Sequence, residues 1–173
     1  LWGLFNTGSN TWGGAGTAGV DIDAPSAWNV TTGTRSVVVG VIDTGVDYNH
    51  QDLAPNMWSA PTSFTVNIAG QAITCAAGTH GFNAITRTCD PMDDATNPHG
   101  SHVAGTIGAA GNNGSGITGV NWTTSMMGLK FLGANGSGST SDAILAIEFA
   151  IQAKAIFGGA ANVRVLNNSW GGG

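Results

Sequence analysis

The chain has 173 residues, enough for one domain with a hydrophobic core. Only 9% of its residues are charged, the net charge is −5, and the five basic residues are scattered, which argues against a nucleic-acid partner. No apolar run approaches the roughly 18–20 residues that a membrane span needs, so we expect no membrane partner either. An apolar content of 42% argues against disorder of the whole chain.

The first 20 residues are rich in Gly, Thr and Asn, and their aromatic residues predict an extended arm laid over the body of the fold. A short helix is predicted over Asp23–Trp28. Asp23 is expected to cap it, Pro25 suits its first turn, and Gly33 is expected to end it.

An unbroken apolar run, Ser36–Asp43, predicts a strand covered on both faces in a parallel sheet. The long segment Trp58–Asp94 shows no clear periodicity and is interpreted as an irregular surface insertion. It contains both cysteines, Cys75 and Cys89. In an oxidising compartment a disulfide is the natural pairing, although the spacing alone leaves two free thiols open.

A helix is predicted over His99–Ala110. Val103 and Ile107 lie on one face together with Ala110, and the small residues between them allow a close approach to the sheet. His102, one turn into this helix, is expected to point at the core.

The second half of the chain continues the alternation of strands and helices. Predicted are a strand at Ser125–Leu132, a polar loop at Gly133–Ser139, a helix from Ser141 to about Phe157 with its apolar stripe on Ile144, Ile147, Ile151 and Ala155, and a strand at Val163–Ser169. This order predicts an α/β fold, a parallel sheet with helices on both faces. Sites in such sheets form at the carboxyl ends of the strands, where Asp43, the Gly133–Ser139 loop and the Ser169–Gly173 turn converge.

Asp43 and His99 carry the most chemical information. A carboxylate at the end of a buried strand must be hydrogen-bonded, and the turn at Thr44 and Gly45 offers backbone amides for this. Its catalytic role would be to fix a histidine tautomer, and the alternative is a structural Asp in a turn. His99 opens a helix, whose dipole disfavours the imidazolium, so it suits a neutral base; a capping histidine is the alternative.

Neighbouring residues limit the other possibilities. Gly100 is expected to leave room for a substrate backbone. Ser101 lacks the strained elbow of a nucleophilic serine. The pair His99 and His102 lacks the glutamate and the four-residue spacing of a zinc-binding helix.

Three blocks together resemble the successive landmarks of subtilisin-like serine proteases (subtilases). They are Asp43-Thr44-Gly45, His99-Gly100-Ser101-His102-Val103-Ala104-Gly105-Thr106 and Asn167-Asn168-Ser169-Trp170-Gly171. The resemblance implies that Asp43 is the triad acid and His99 the general base. It departs from the family at Ser101, where Thr is usual, and in the long stretch between Asp43 and His99, which the cysteine-containing insertion explains.

The resemblance also implies a substrate-binding cleft. Gly136-Ser137-Gly138 and Ser169-Trp170-Gly171 are similar to the two edge segments that clamp an extended peptide by backbone hydrogen bonds. Trp170 is expected to line a pocket wall, with an ordinary core Trp as the alternative. A structural Ca²⁺ is implied as well, with Asp52 and Asn113 at the side-chain ligand positions, although the family's amino-terminal ligand would lie before Leu1.

We therefore expect residues 1–173 to be the first part of a secreted serine endopeptidase catalytic domain acting on peptides or proteins. The family's oxyanion-hole Asn and Gly-Thr-Ser-Met-Ala nucleophile block have no counterpart here, so this chain alone is expected to be inactive. Its expected partners are a prodomain or the C-terminal remainder of the catalytic domain. The alternative is a non-catalytic, peptide-binding pseudoprotease module, whereas a nucleotide-binding domain is disfavoured because no GxGxxG turn follows the first strand.

Overall fold

A computed structural model describes residues 2–8 and 14–171. Its helices are α1 (Ala24–Trp28), α2 (His99–Gly108) and α3 (Thr140–Phe157), and its strands are β1 (Gly33–Asp43), β2 (Phe64–Ile68), β3 (Gln71–Cys75), β4 (Gly81–Asn83), β5 (Thr123–Lys130) and β6 (Val163–Asn167), with short 3₁₀ turns at Ala54–Asn56 and Gly158–Ala161. Every helix and strand predicted from the sequence is present, with its type correct.

The main sheet has four strands in the order β4-β5-β1-β6, and all neighbouring pairs are parallel. Asp43, the last residue of β1, is the register partner of Lys130, the last residue of β5. On the other side, Val41 pairs with Asn167 at the end of β6. Asn83, the last residue of β4, also pairs with Lys130, so all four strands finish at one end of the sheet, as predicted for a parallel α/β fold.

Helices cover both faces of this sheet. One face of β1 carries Val41, which joins a buried cluster with Ala104 of α2. The next side chain along, Ile42, points to the other face and joins a larger cluster with Phe149 of α3. Because side chains alternate along a strand, Asp43 points to the same face as Val41 and α2.

The face that α2 turns to the sheet differs from the prediction. Its buried positions are Gly100, Ala104, Gly105 and Gly108, while Val103 and Ile107 are half-buried at the side. Close packing selects the small residues, since a Cβ on Gly108 would lie 2.3 Å from Cγ2 of Thr124. Because α2 turns these small residues to the sheet, His102 is exposed, and the prediction of a core histidine is wrong.

The predicted apolar stripe of α3 is also on the wrong side. Ile144 and Ile151 are 59% and 62% exposed. The residues packed into the core are Ala143, Ala146, Phe149, Ala150 and Ala153. Apolar residues surround this helix, so periodicity did not identify its buried face, and the alanines permit the closer approach to the sheet.

The same helix corrects the expectation that no segment is apolar enough to cross a membrane. Thr140–Ala161 has a mean hydropathy of 1.5, which meets the requirement by length and composition. A core helix of a soluble protein meets it equally, and the ring of Phe149 stacks on Phe82 of β4 at 4.9 Å between centroids.

Trp58–Asp94 is not an irregular surface insertion. It forms an antiparallel hairpin from β2 and β3, and it supplies β4, the edge strand beside β5. Phe64 of β2 is buried and contacts Phe149 with 5.9 Å between ring centroids. Cys75 and Cys89 form a disulfide. Sequence reasoning missed these strands because they are only three to five residues long, and it overlooked the alternation of Phe64, Val66 and Ile68 in β2.

The N-terminal region departs from the prediction in two details. Asp23 precedes α1 with a φ of 51° and makes no side-chain capping bond. Gly33 begins β1 instead of ending α1: its φ is 106°, and a Cβ there would lie 2.2 Å from the Thr123 carbonyl oxygen.

The described part of the predicted arm folds back on the chain that follows it. Ile22 and Ala24 donate backbone hydrogen bonds to the carbonyls of Gly3 and Leu4. The rest of the arm, including Trp12, lies outside the described residues.

Candidate active site

Asp43 and His99 are in direct contact at the edge where the strands finish. Nδ1–H of His99 donates to Oδ1 of Asp43 at 2.9 Å and to Oδ2 at 3.0 Å. The carboxylate is fully buried, whereas 46% of the histidine side chain is exposed. With Nδ1 committed to the carboxylate, Nε2 is the ring nitrogen left to meet a substrate or a nucleophile.

The turn after β1 holds this pair together. The backbone N–H of Thr44 donates to Oδ1 of Asp43 at 2.7 Å, as the sequence predicted for this turn. Oγ1 of the same residue accepts from the N–H of Gly100 at 2.8 Å, which fixes the start of α2 beside the carboxylate. Thr44 therefore connects the acid to the helix that carries the imidazole.

The structure gives a different reason for a glycine at position 100 from the one expected. A Cβ at this position would lie 2.1 Å from the Gly45 carbonyl oxygen and 3.0 Å from Cβ of Asp43. The missing side chain makes room for the turn after β1, not for a substrate backbone. It allows α2 to approach closely enough for His99 to reach Asp43.

His99 lines a cavity of about 440 Å³ that runs along the two predicted edge segments. Gly136, Ser169, Trp170 and Gly171 line the same cavity. A second cavity of about 270 Å³ shares Gly136, Trp170 and Gly171 with the first and adds Ser137 and Gly138. All six residues predicted to bind substrate thus line two adjoining cavities beside His99.

Trp170 forms part of the wall common to both cavities. Its ring packs against Phe131 with 4.8 Å between centroids, and the residue is 37% exposed. It is therefore a half-exposed wall residue and not a core Trp.

Ser101 is held away from any nucleophilic role. Its hydroxyl donates to Oδ2 of Asp93 at 2.8 Å and accepts from the N–H of Asp47 at 2.9 Å. Its backbone N–H also donates to Oδ2 of Asp93, at 3.0 Å. The loop before α2 is tied to the first turn of the helix by these bonds.

Sequence reasoning missed Lys130, which is buried at the end of β5. Its Nζ pairs with Oδ1 of Asp94 at 2.7 Å and also donates to the carbonyls of Thr44 and Leu132. The hydrogen bond from Lys130 holds the pKa of the Asp94 carboxyl below its usual value. The available signal was a lone lysine at the end of an apolar run.

The loop after β1 also contacts the disulfide-bonded segment. Oη of Tyr48 donates to Oδ1 of Asp90 at 3.0 Å, and the Tyr48 ring packs on His80 with 4.7 Å between centroids. Burial, reinforced by Asp90, raises the pKa of Tyr48 above its ordinary 10.0.

Asp52 and Asn113, the expected calcium ligands, are brought together. Nδ2 of Asn113 donates to Oδ1 of Asp52 at 2.8 Å, and the N–H of Ile117 donates to Oδ2 at 2.8 Å. The loop 112–118, which includes Asn113, lines an open cavity of about 430 Å³. The oxygen donors suit a hard cation, but Asn113 presents its nitrogen to the carboxylate, so a bound ion would require the amide to turn. Within residues 2–8 and 14–171, no group of three or more His, Cys, Asp or Glu could hold a metal.

Comparison with known families identifies the family to which the chain belongs. Residues 34–173 match the model of the subtilase family, Peptidase_S8. The chain belongs to the subtilase family. This is the family that the sequence resemblance suggested.

Several curated relatives of this subtilase are proteases by name. The thermophilic serine proteinase of Bacillus sp. (strain AK1) is 38% identical over 124 residues, covering 72% of this chain and 25% of the relative. Halolysin of Haloferax mediterranei is 34% identical over 131 residues, covering 75% of this chain and 21% of its own. The chain thus spans about a quarter of the length of these relatives.

A solved structure agrees with the fold. The serine protease of Aeromonas sobria, in its complex with the chaperone ORF2, superposes on 99% of this chain and 24% of its own, with a TM-score of 0.70 and 24% identity. At this identity the likeness shows a shared fold.

Proposed function

We propose that this subtilase segment supplies the acid and the base of a serine endopeptidase. The observation that carries the proposal is the hydrogen-bonded pair of Asp43 and His99 at the wall of a cleft. In the proposed enzyme the nucleophilic serine comes from a part of the catalytic domain outside these residues. The segment alone is then inactive, because removal of a triad member costs several orders of magnitude in rate.

The geometry supports separate roles for His99 and Asp43 in the proposed reaction. Nε2 of His99 takes the proton of the serine hydroxyl as its oxygen attacks the peptide carbonyl, and later gives that proton to the leaving amine. Asp43 holds the proton on Nδ1 and stabilises the imidazolium that forms. Water then hydrolyses the acyl-enzyme by the same proton route in reverse.

The proposed substrate is an extended peptide lying between two edge segments. Gly136-Ser137-Gly138 and Ser169-Trp170-Gly171 line the adjoining cavities next to His99. Backbone hydrogen bonds along such edges bind peptides of any sequence, and the cavities accept alternate side chains. Glycine in both segments permits close approach of the substrate backbone.

Labelling with a fluorophosphonate, which reacts with an activated serine, tests the catalytic role. The full-length protein should label, His99→Ala should abolish labelling, and His102→Ala should label normally because that histidine is exposed on the same helix and makes no contact with Asp43. Labelling that survives His99→Ala would overturn the assignment. A protein that binds peptides but never labels would be the non-catalytic alternative.

We further propose a structural Ca²⁺ held by Asp52 and by the amide oxygen of Asn113 in the loop 112–118. The ion would bring two loops together and contribute binding free energy to folding. Addition of about 10 mM Ca²⁺, roughly 10- to 100-fold above the Kd of about 10⁻⁴–10⁻³ M of extracellular sites, should raise Tm relative to EDTA. Asp52→Asn should remove this difference; an equal Tm in Ca²⁺ and EDTA for the unmutated protein contradicts the site.

Secretion is the proposed location. Support comes from the disulfide, which persists in oxidising compartments, and from the low charge of the chain. Relatives include the minor extracellular protease Vpr of Bacillus subtilis. The proposed partners are the rest of the catalytic domain and a prodomain or chaperone, and not a nucleic acid or a membrane. Recovery of the full-length protein from the culture medium, with Cys75 and Cys89 unreactive to alkylation, is the expected outcome.

A further inference from the structure

Lys130 is a buried cation next to the proposed catalytic pair. It is 2% exposed, and its strand neighbour in register is Asp43 itself. Burying an ammonium group costs free energy unless all of its donors are paired. This buried ammonium group lies directly beside the acid of the proposed triad, so the contacts that stabilise it are of interest for the site.

The ammonium group meets three oxygens from three different segments. Nζ donates to the Thr44 carbonyl in the turn after β1 and to the Leu132 carbonyl at 2.8 Å in the segment after β5. It also pairs with Oδ1 of Asp94, at 2.7 Å, in the loop that leads to α2. A lysine ammonium has three N–H donors, so this environment uses all of them.

Each of these segments forms part of the proposed site. Thr44 binds the Asp43 carboxylate through its N–H and the start of α2 through its hydroxyl. Leu132 lines both cavities of the cleft. Asp94 is next to Asp93, which binds the N–H and hydroxyl of Ser101 in the first turn of the helix that carries His99.

Lys130 acts on the catalytic pair through these neighbours and not by touching it. Its ionic partner is Asp94, while the carboxylate of Asp43 is occupied by His99 and by the N–H of Thr44. A neutral, apolar side chain at 130 would leave two backbone carbonyls and a carboxylate without this donor. The turn at Thr44 and the loop before α2 would then lose their common anchor.

We propose that Lys130 is a positioning residue that holds Asp43, His99 and the wall of the cleft in register. The proposal rests on the proposed function, since positioning matters only if the pair does chemistry. A misplacement of about 1 Å can cost on the order of 100-fold in rate. Removal of the ammonium should therefore reduce kcat more than it raises KM.

The test compares Lys130→Met with the unmutated full-length protein, using peptide hydrolysis and the proton NMR spectrum. Lys130→Met should lower kcat by about 10- to 100-fold with KM changed less than about threefold. The low-field resonance of the Nδ1–H of His99 bonded to Asp43 should shift or broaden. Lys154→Met is the matched control: Nζ of Lys154 also donates to a backbone carbonyl, that of Val163 at 2.7 Å, but on α3. It should leave both measurements unchanged.

Asp94→Asn is the second variant, used if Lys130→Met fails to fold. It removes the ionic partner and leaves both carbonyl partners in place, so kcat should fall about two- to fivefold, a loss of the size of an exposed ion pair. Unchanged kcat and an unchanged low-field resonance in whichever variant folds would overturn the positioning role. Failure of the unmutated protein to react with a fluorophosphonate would instead reject the proposed function, and the resonance would still test the register of the pair.

Discussion

The α-carbon of Gly100 lies against the carbonyl oxygen of Gly45, so close that a Cβ would be 2.1 Å from that oxygen. This contact joins the first turn of α2 to the turn that follows Asp43. The approach of helix and strand is therefore set by the absence of one side chain. It places His99 within hydrogen-bonding distance of the carboxylate.

Gly100→Ala should accordingly separate α2 from β1. The clash is with backbone, which cannot rotate away, so we expect a loss of about 1–3 kcal/mol in the free energy of unfolding and loss of fluorophosphonate labelling. Urea unfolding and labelling of the full-length protein measure both effects.

Gly105→Ala in the same helix is the control for this substitution. Its new Cβ would meet only Cδ1 of Ile117 at 3.7 Å, an ordinary contact. Since Ala favours a helix interior over Gly by up to about 1 kcal/mol, this variant should be as stable as the unmutated protein or more so. Equal behaviour of the two variants would contradict the steric explanation.

Removal of the disulfide should destabilise the half of the core beneath α3. Cys75 is fully buried in the same cluster as Phe64 and Phe149. For a loop of about 15 residues the chain-entropy model gives a stabilisation of about 3 kcal/mol. Urea unfolding of the double variant Cys75→Ser, Cys89→Ser should therefore give a free energy of unfolding lower by that amount. Dithiothreitol should destabilise the unmutated protein similarly and leave the double variant unaffected; an equal response of both would argue against the bond.

Acid should weaken the contact between Asp94 and Lys130. Lys130 lowers the pKa of Asp94 in the folded protein below its ordinary 3.8, so the folded state favours the charged carboxylate. The resulting stabilisation is present above pH 3.8 and is lost as the pH falls through the lowered pKa. Asp94→Asn should therefore be less stable than the unmutated protein near neutral pH, and the two stabilities should converge in acid. The Asp94 side chain is 64% exposed, so 1 M NaCl should reduce the difference; a difference independent of pH would refute the linkage.

Trp170→Ala should change which peptides are cleaved. The indole forms part of the wall shared by the two cavities and rests on Phe131. Its removal enlarges both cavities, so cleavage of a peptide library should shift toward larger side chains, with KM affected more than kcat. Trp28→Phe is the control, since that ring packs on Trp122 and its Nε1–H bonds the Val120 carbonyl, none of which lines either cavity. An unchanged cleavage pattern in Trp170→Ala would contradict its place in the cleft.

The parts of the site that follow from short-range sequence signals were predictable. The apolar run ending in Asp43 and the Pro98-His99-Gly100 helix start define a strand end and a helix start, and a parallel sheet brings such points together. Helix faces were not predictable in the same way. In α2 the packed residues are the small ones, and in α3 Ile144 and Ile151 face outward, because closeness of approach and not hydrophobicity selected the buried side.

Lys130 and the strands between Trp58 and Asp94 were missed for another reason. Their roles depend on partners far along the chain: Lys130 contacts Thr44, and β4 pairs with β5. Nothing local in either segment indicates those partners. A charged residue that ends an apolar strand was the one available sign.

The two residues of the Asp43–His99 pair are 56 positions apart, and β2, β3 and β4 lie between them. Contacts of such long sequence separation form late, since the entropy of closing the intervening chain must first be overcome. A nascent or partly collapsed molecule consequently has no oriented imidazole. In the proposed peptidase, folding of this segment would therefore have to precede any cleavage of a peptide.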